Sequence, residues 1–524
     1  MWVFNRDRFR STPFLIIPTI AVIIFVSAAG NAYAEAADQA EPYNSKQLIK
    51  MATKQVRRGN LVEAERLLRQ AMQLFPSDSA PKVELAYLMV RQRKLVSAYE
   101  LVFPVAEAEP KNSRAFAVLG AAMLSAGRFA EAKSLFYTAL TLNRKEDLAW
   151  AGCGMLDFYE NRIDDSLANL REAVYYAPNE ADYVFAYAQV SSRDERYSDA
   201  AEAYRQFLMV SKNTDDERRA RIKGLINFLT FLGQRDRLYI AAGDERTSVP
   251  FRLVGNRPVI QIRVNDSREP LNFVLDTGSG MSVISNKTAE RLRIKPITKG
   301  GFAKGIGGDG RFEIVYGFLR QVDLGSVTLR NVPVYIREFH SSGEAIDGYI
   351  GLSLISKFLT TIDYGDLTFA LVKKDAESVP PIDSKASSLP LRLTSSGFLS
   401  GEVQLEGFEN PLNFIVDTGA SVSVISSDIA GAEGISPHMT DERLRVIGSA
   451  GITEDVPSFL LPKVTFGEHS RNSITAIALD LDLINEASGF EQAGILGGNF
   501  LRNYKLTFDF KNSKVTFVPI GEKK

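Results

Sequence analysis

From about residue 45 to residue 214, small and apolar side chains recur with a period of 34 residues. One small series runs Ala64, Ala98, Ala132, Ser166, Ala200, and a second runs Ala52, Ala86, Gly120, Gly154, Ala188. A large apolar series holds the same register at Leu68, Val102, Phe136, Leu170 and Tyr204. Pro76, Pro110 and Pro178 repeat in phase, with Arg144 and Lys212 at the two positions that lack proline. Small residues let paired helices approach closely, and proline ends a helix because it lacks an N–H and its ring crowds the preceding turn. The pattern predicts five helical pairs. Residues 215–240 read as a closing helix over the last apolar face.

After about residue 246 the helical period gives way to short alternating runs punctuated by Gly and Pro, which predicts strands and hairpins. Two stretches, from Val249 and from Leu389, are copies of one unit. Each opens with a hairpin-like pair and then reads Pro-Leu-Asn-Phe, two aliphatics and Asp-Thr-Gly. Each closes on an apolar pair plus glycine (Tyr349-Ile350-Gly351 and Ile495-Leu496-Gly497), a short helical stretch and a last hairpin. Residues 374–388 between the copies are polar and Pro-rich, as a linker would be.

The 34-residue register resembles the tetratricopeptide repeat, specifically in period and more loosely at the large aromatic positions, where Trp150 is the best match. Such an array presents a concave groove, which implies a peptide or protein partner.

One Asp-Thr-Gly says little, but here two follow hydrophobic strands and both run into Ser-Val-Ile-Ser. Hydrolysis without a metal or a covalent nucleophile needs a water activated as it attacks. Two adjacent carboxylates cannot both ionise cheaply, so they share a proton; one then serves as base and the other as acid. Asp276 and Asp417 are the candidates, and because they titrate as a pair neither role is assigned from sequence. Gly278 and Gly419 permit the tight turn and leave N–H groups free to approach the carboxylates. Ser279 has a hydroxyl to offer the neighbouring carboxylate; its counterpart Ala420 has none.

From Val249 to Ile520 the chain resembles the retropepsin-like (retroviral-type) aspartic peptidases and their bacterial relatives, in which each lobe supplies one Asp-Thr-Gly loop and a later apolar-apolar-Gly segment. The resemblance implies that Thr277 and Thr418 hydrogen-bond across the lobe interface. It also implies that Gly351 and Gly497 let the later segment pack against the catalytic loop. A flap is expected between loop and segment in each copy. The glycine-rich 304–310, with Gly305, Ile306, Gly307 and Gly308, is similar to retroviral flap tips, and 447–451, with Gly448 and Ser449, is the weaker match.

Composition trims the alternatives. Of 524 residues 45% are hydrophobic and 24% charged, with a net charge of −1, which gives nucleic acid no footprint. His340, His438 and His469 lack metal-ligand spacing, so no metal or other cofactor is expected. The single cysteine, Cys153, cannot form an intrachain disulfide and reads as a small buried hydrophobe. Arg6, Arg8 and Arg10 precede an apolar run ending near Ala29, followed by Ala32-Tyr33-Ala34, the pattern a signal peptidase accepts. A cleaved signal over 1–34 is expected, hence export to a bacterial periplasm; a retained N-terminal anchor would add a membrane contact.

The expected organisation is therefore a signal (1–34), an all-α tetratricopeptide-like array (45–240) and two all-β retropepsin-like barrel lobes (248–373 and 389–520) joined by the linker 374–388. The function read from it is an exported aspartic endopeptidase, with helical repeats that dock a protein or peptide. The reading from another class is a catalytically inactive peptidase fold serving as an envelope scaffold, because fold alone does not establish activity.

Overall fold

The computed structural model describes residues 43–212, 214–235, 237–308, 310–340, 345–374, 376 and 387–521. The expected signal lies outside the described residues, as does most of the expected linker; Ser387 and Ser388 already belong to a strand, Ser387–Pro390. Among the described residues no helix is long and apolar enough to cross a membrane. The chain divides into two compact units, up to Val105 and from Ala106 onward.

The first unit contains Ser45–Arg57, Leu61–Leu74, Ala80–Arg91 and the greater part of Leu95–Ala108. Asn44 and Gln47 cap the first helix reciprocally: the Gln47 N–H donates to Asn44 Oδ1 at 2.9 Å and the Asn44 N–H to Gln47 Oε1 at 2.8 Å. Ala52, Ala64, Leu68 and Ala86, all on the predicted periodic positions, are buried.

The second unit continues the repeat with Ser113–Ser125, Phe129–Leu142, Asp147–Tyr159, Ile163–Tyr176, Ala181–Arg193 and Tyr197–Val210. Pro178 falls two residues after Tyr176, where it stops the helix. The first helix of every pair turns through a residue with positive φ, and these keep the 34-residue period: Gly59, Arg93, Gly127, Asn161 and Glu195. The closing helix is Asp216–Gly233, shorter than the expected 215–240. Tyr239 takes a left-handed φ of 50°, and Ile240–Gly243 is already a strand, paired with Val327–Arg330 of the first lobe.

This helical portion does not stand apart from the β region, although the sequence reading drew a boundary there. Its turn residues dock on the lobes. Asn413 Nδ2 reaches the Gly127 carbonyl at 3.5 Å, Asn161 Nδ2 donates to the Phe510 carbonyl at 3.1 Å, and Glu195 pairs with Lys357. Phe129 and Tyr159 pack on Phe490 with ring centroids 5.0 and 4.9 Å away. Arg193 lies 3.7 Å over the Phe158 ring and donates to the Thr394 carbonyl at 2.7 Å.

Among the described residues the strands form a fourteen-stranded and an eight-stranded sheet. The first lobe and both C-terminal hairpins share the larger one. Strand Phe358–Asp363 pairs antiparallel with Tyr504–Asp509, so that Thr361 faces its own counterpart Thr507, with their hydroxyls 3.1 Å apart. A pseudo-twofold relation between the lobes thus passes through a continuous ladder. A buried core that includes Phe273, Phe358, Phe369, Phe414, Phe500 and Phe508 spans both lobes.

Candidate active site

Each Asp-Thr-Gly loop begins where a buried strand runs out. Leu271–Leu275 lies parallel to Gly348–Ile350 and Leu412–Val416 parallel to Gly494–Leu496. The ladders extend one bond further, since the Asp276 N–H donates to the Ile350 carbonyl and the Asp417 N–H to the Leu496 carbonyl, both at 3.0 Å. Each aspartate is therefore fixed by backbone before its side chain makes any contact.

The threonines cross between lobes. Thr277 Oγ1 donates to the Val416 carbonyl at 2.6 Å and accepts from the Thr418 N–H at 3.0 Å. Thr418 Oγ1 mirrors this, donating to the Leu275 carbonyl at 2.7 Å and accepting from the Thr277 N–H at 3.2 Å. Both side chains are fully buried. Four backbone groups from two loops that are 141 residues apart are satisfied by two hydroxyls.

The glycines report how close the carboxylates come. A Cβ added to Gly278 would lie 2.4 Å from the Asp417 carboxyl carbon, and one added to Gly419 would lie 2.7 Å from that of Asp276. Each loop's glycine thus rests against the other lobe's acid, and no larger residue fits. The Gly278 N–H donates to Asp276 Oδ1 at 3.0 Å and the Gly419 N–H to Asp417 Oδ1 at 2.7 Å.

Burial raises both carboxyls above the ordinary aspartate range. Around Asp276 the rise is opposed by hydrogen bonds from Ser279, Asp417 and the Gly278 N–H, and by the positive charge of Arg337. Asp417 is pushed well above the ordinary range by burial, by the charge of Asp276 and by the hydrogen bond between the two acids, against the Gly419 and Ala420 N–H groups. The difference between Ser279 and Ala420 noted in the sequence thus falls on Asp276, which has a hydroxyl beside it, whereas the residue at the matching position beside Asp417 offers only a backbone N–H.

Gly351 and Gly497 sit behind the loops. Their N–H groups donate to Ser282 Oγ and Ser423 Oγ, each at 3.1 Å, and a Cβ on either would meet backbone of the segment after its loop at under 3.0 Å. Sequence reasoning missed Ser282 and Ser423. The signal was there, since both copies place a serine six residues after the aspartate.

Both expected flaps are hairpins, Thr298–Lys304 with Arg311–Leu324 and Met439–Ile447 with Ile452–Phe466. Their tips meet. The Ala450 N–H donates to the Ile306 carbonyl at 2.8 Å, the Gly308 N–H to the Ile452 carbonyl at 3.2 Å, and the Ile306 N–H to Ser449 Oγ at 3.2 Å. Gly305, Gly307 and Gly448 lie in the same contact, each with a Cβ position within 2.2 Å of an atom of the opposite tip. Asp309, within the expected first tip, is outside the described residues.

The closing helix braces the first flap hairpin from outside, which the sequence did not announce. A Cβ on Gly224 would lie 2.4 Å from Gly300 Cα, and Arg221 Nη1 donates to the Phe302 carbonyl at 3.1 Å. Glu217 pairs with Arg311, and Phe228 stacks on Tyr316 with centroids 4.4 Å apart.

Residues 260–354 and 401–500 match the family model described as aspartyl protease, and residues 55–122 match the one described as tetratricopeptide repeat. None of the curated proteins compared matches the chain. Among solved structures, the aspartic proteinase from Irpex lacteus is similar at 15% identity, with 53% of this chain and 98% of that chain covered and a TM-score of 0.35. A tetratricopeptide protein of Thermus thermophilus is similar at 17% identity, with 35% and 98% covered and a TM-score of 0.30. Two segments of the chain thus match the aspartyl protease model, behind a segment that matches the tetratricopeptide repeat model.

Proposed function

We propose that the chain is an aspartic endopeptidase with a single site, built from Asp276 and Asp417 of the same molecule. The observation that carries this reading is the reciprocal packing of each loop's glycine on the other lobe's carboxylate, locked by the two crossing threonines. We assign the charge to Asp276, beside the Ser279 hydroxyl and the Arg337 cation that have no counterparts at Asp417, and the shared proton to Asp417.

A water between them loses a proton to Asp276 as its oxygen attacks the scissile carbonyl carbon. Asp417 donates its proton to the carbonyl oxygen, giving a neutral gem-diol. Return of the Asp276 proton to the departing nitrogen, and of a hydroxyl proton to Asp417, breaks the C–N bond and restores the starting state. The flap tips exclude bulk water from the bound peptide. Their glycines allow the bend that opening requires.

The repeat array serves protein or peptide docking, and the chain acts outside the cytosol once residues 1–34 are removed. N-terminal sequencing of envelope protein would then begin at Glu35, and a first residue Met1 would refute removal. The activity is tested with an unbiased peptide library and two single variants. Asp276→Asn and Asp417→Asn each abolish hydrolysis if one dyad per chain does the work. Appreciable activity in both single variants, lost only in the double variant, would mean that like lobes pair between chains.

A further inference from the structure

The two lobes are copies, so positions where they differ in chemistry beside the dyad mark what each side of the cleft receives. Arg337 is such a position. It ends the strand Val327–Arg337, opposite Ser285. In the second lobe the residue opposite the matching Ser426 is Leu479. The neighbouring pair differs in the same direction: Tyr349 in the first lobe is Ile495 in the second.

The second lobe's side of the cleft is apolar. Leu479, Ile484, Leu444 and Val446 pack against a buried cluster that includes Ile495, and the first flap tip adds Ile306 to it. On the first lobe's side the guanidinium of Arg337 lies 4.4 Å over the ring of Phe312, a residue of the flap strand. It stands within electrostatic reach of Tyr349, beside the catalytic loop, and of Asp276 itself. Three walls of the cleft, namely flap, loop and apolar-Gly segment, therefore surround one half-buried cation. Its Nε is buried without a hydrogen-bond partner among the described residues. A buried, unpaired guanidinium N–H is costly, and a carboxylate is the group whose geometry satisfies it best.

We infer that Arg337 determines specificity by binding a carboxylate side chain of the peptide, so that the site selects Asp or Glu on the first lobe's side of the scissile bond and a large aliphatic residue on the other. The inference rests on the peptidase reading and names its substrate class. It is not a restatement of pKa tuning: a residue that only held Asp276 anionic would be indifferent to the charge of the substrate.

The test is cleavage-site profiling of a proteome-derived peptide mixture by the full-length chain, followed by a peptide pair that differs only by Glu or Gln at the enriched position. A preference for Glu of ~10–100-fold in kcat/KM is expected from one charged hydrogen-bonding contact. Arg337→Leu, which installs the second lobe's residue, erases that preference, and Arg337→Glu turns it toward Lys. Equal cleavage of Glu and Gln peptides by the wild-type chain, or a preference that survives in Arg337→Leu, would overturn the assignment and leave the peptidase reading intact. So would an Arg337→Leu variant that shifts only the acid limb of the pH profile. In parallel, Asp417→Asn, which keeps both Asp276 and Arg337, is used to enrich binders from the same mixture. Acid-selective binding with no hydrolysis by the wild type would sink the peptidase reading and sustain Arg337; neither binding selectivity nor hydrolysis would overturn both.

Discussion

Replacing Thr277 by valine keeps the shape of the side chain and removes one hydroxyl. The hydroxyl serves two buried backbone groups, the Val416 carbonyl at 2.6 Å and the Thr418 N–H at 3.0 Å, and the residue is fully buried. Each of the two groups left unpaired costs about 1–3 kcal/mol, so the variant should lose about 2–6 kcal/mol. Thr418→Val strands the Leu275 carbonyl and the Thr277 N–H in the same way, so its loss should be similar. Serine at either position keeps the hydroxyl and gives up one methyl group, about 1 kcal/mol. The measurement is urea unfolding of the full-length chain followed by the circular dichroism of its β-sheet, with peptide hydrolysis on the same samples. Hydrolysis should fall more steeply than stability, because a displacement of the loops by about 1 Å costs ~100-fold in rate. A valine variant that loses less than about 1 kcal/mol, or serine and valine variants that behave alike, would refute the claim that the hydroxyls join the lobes.

Further expectations concern titration, the flap and the thiol. Because both folded-state carboxyls are raised, the folded chain binds more protons than the unfolded one above the ordinary aspartate range; the dyad's stabilisation is complete below that range and is lost as pH rises through the folded pKa values. Asp417→Asn should therefore raise the melting temperature at neutral pH, with the gain fading in acid; a lower melting temperature at neutral pH would contradict this. Gly224→Val drives a side chain into the Gly300 backbone, so it should cost about 1–3 kcal/mol and slow hydrolysis by unseating the first flap; an unchanged rate would show that the brace is idle. Burial pushes the Cys153 thiol up to about 12, so alkylating reagents should label it only after unfolding, and labelling of native protein would be read by mass spectrometry.

What was legible in the sequence follows physical necessity at each residue. The helical pairs showed because Ala64, Ala98, Ala132, Ser166 and Ala200 have almost no room for anything larger, and each is fully buried. The site showed because Asp, Thr and Gly are each required by type, and duplication printed the requirement twice. The array's docking on the lobes did not show. Part of its contacts come from turn residues that share a backbone conformation and no side chain, Gly127, Asn161 and Glu195, and the rest from helix-end residues with no repeated type, Phe129, Tyr159 and Arg193. The common sheet was hidden for a related reason. Each last hairpin reads the same whether it pairs with its own lobe or with its twin, and only the ladder from Leu359 to Asp363 against Lys505 to Asp509 decides. Arg337 ends an ordinary strand and becomes visible only when the two copies are set in register.

Two lobes in one chain can diverge where a symmetric homodimer cannot. In a homodimer every residue of the cleft appears twice, so a cation on one side is a cation on both. Here Ser279 corresponds to Ala420, Arg337 to Leu479 and Tyr349 to Ile495, and the three first-lobe residues all act on Asp276 by hydrogen bond or charge. The first gives Asp276 a hydroxyl neighbour that Asp417 lacks, and on the specificity proposed above the other two make the subsites unequal. A third inequality comes from outside the duplication: the closing helix packs on the first flap through Gly224, Glu217 and Phe228. Since the tips bond to each other, a helix that packs on the first flap hairpin is linked through it to the second as well. The shared sheet and the threonines meanwhile hold the floor of the site fixed.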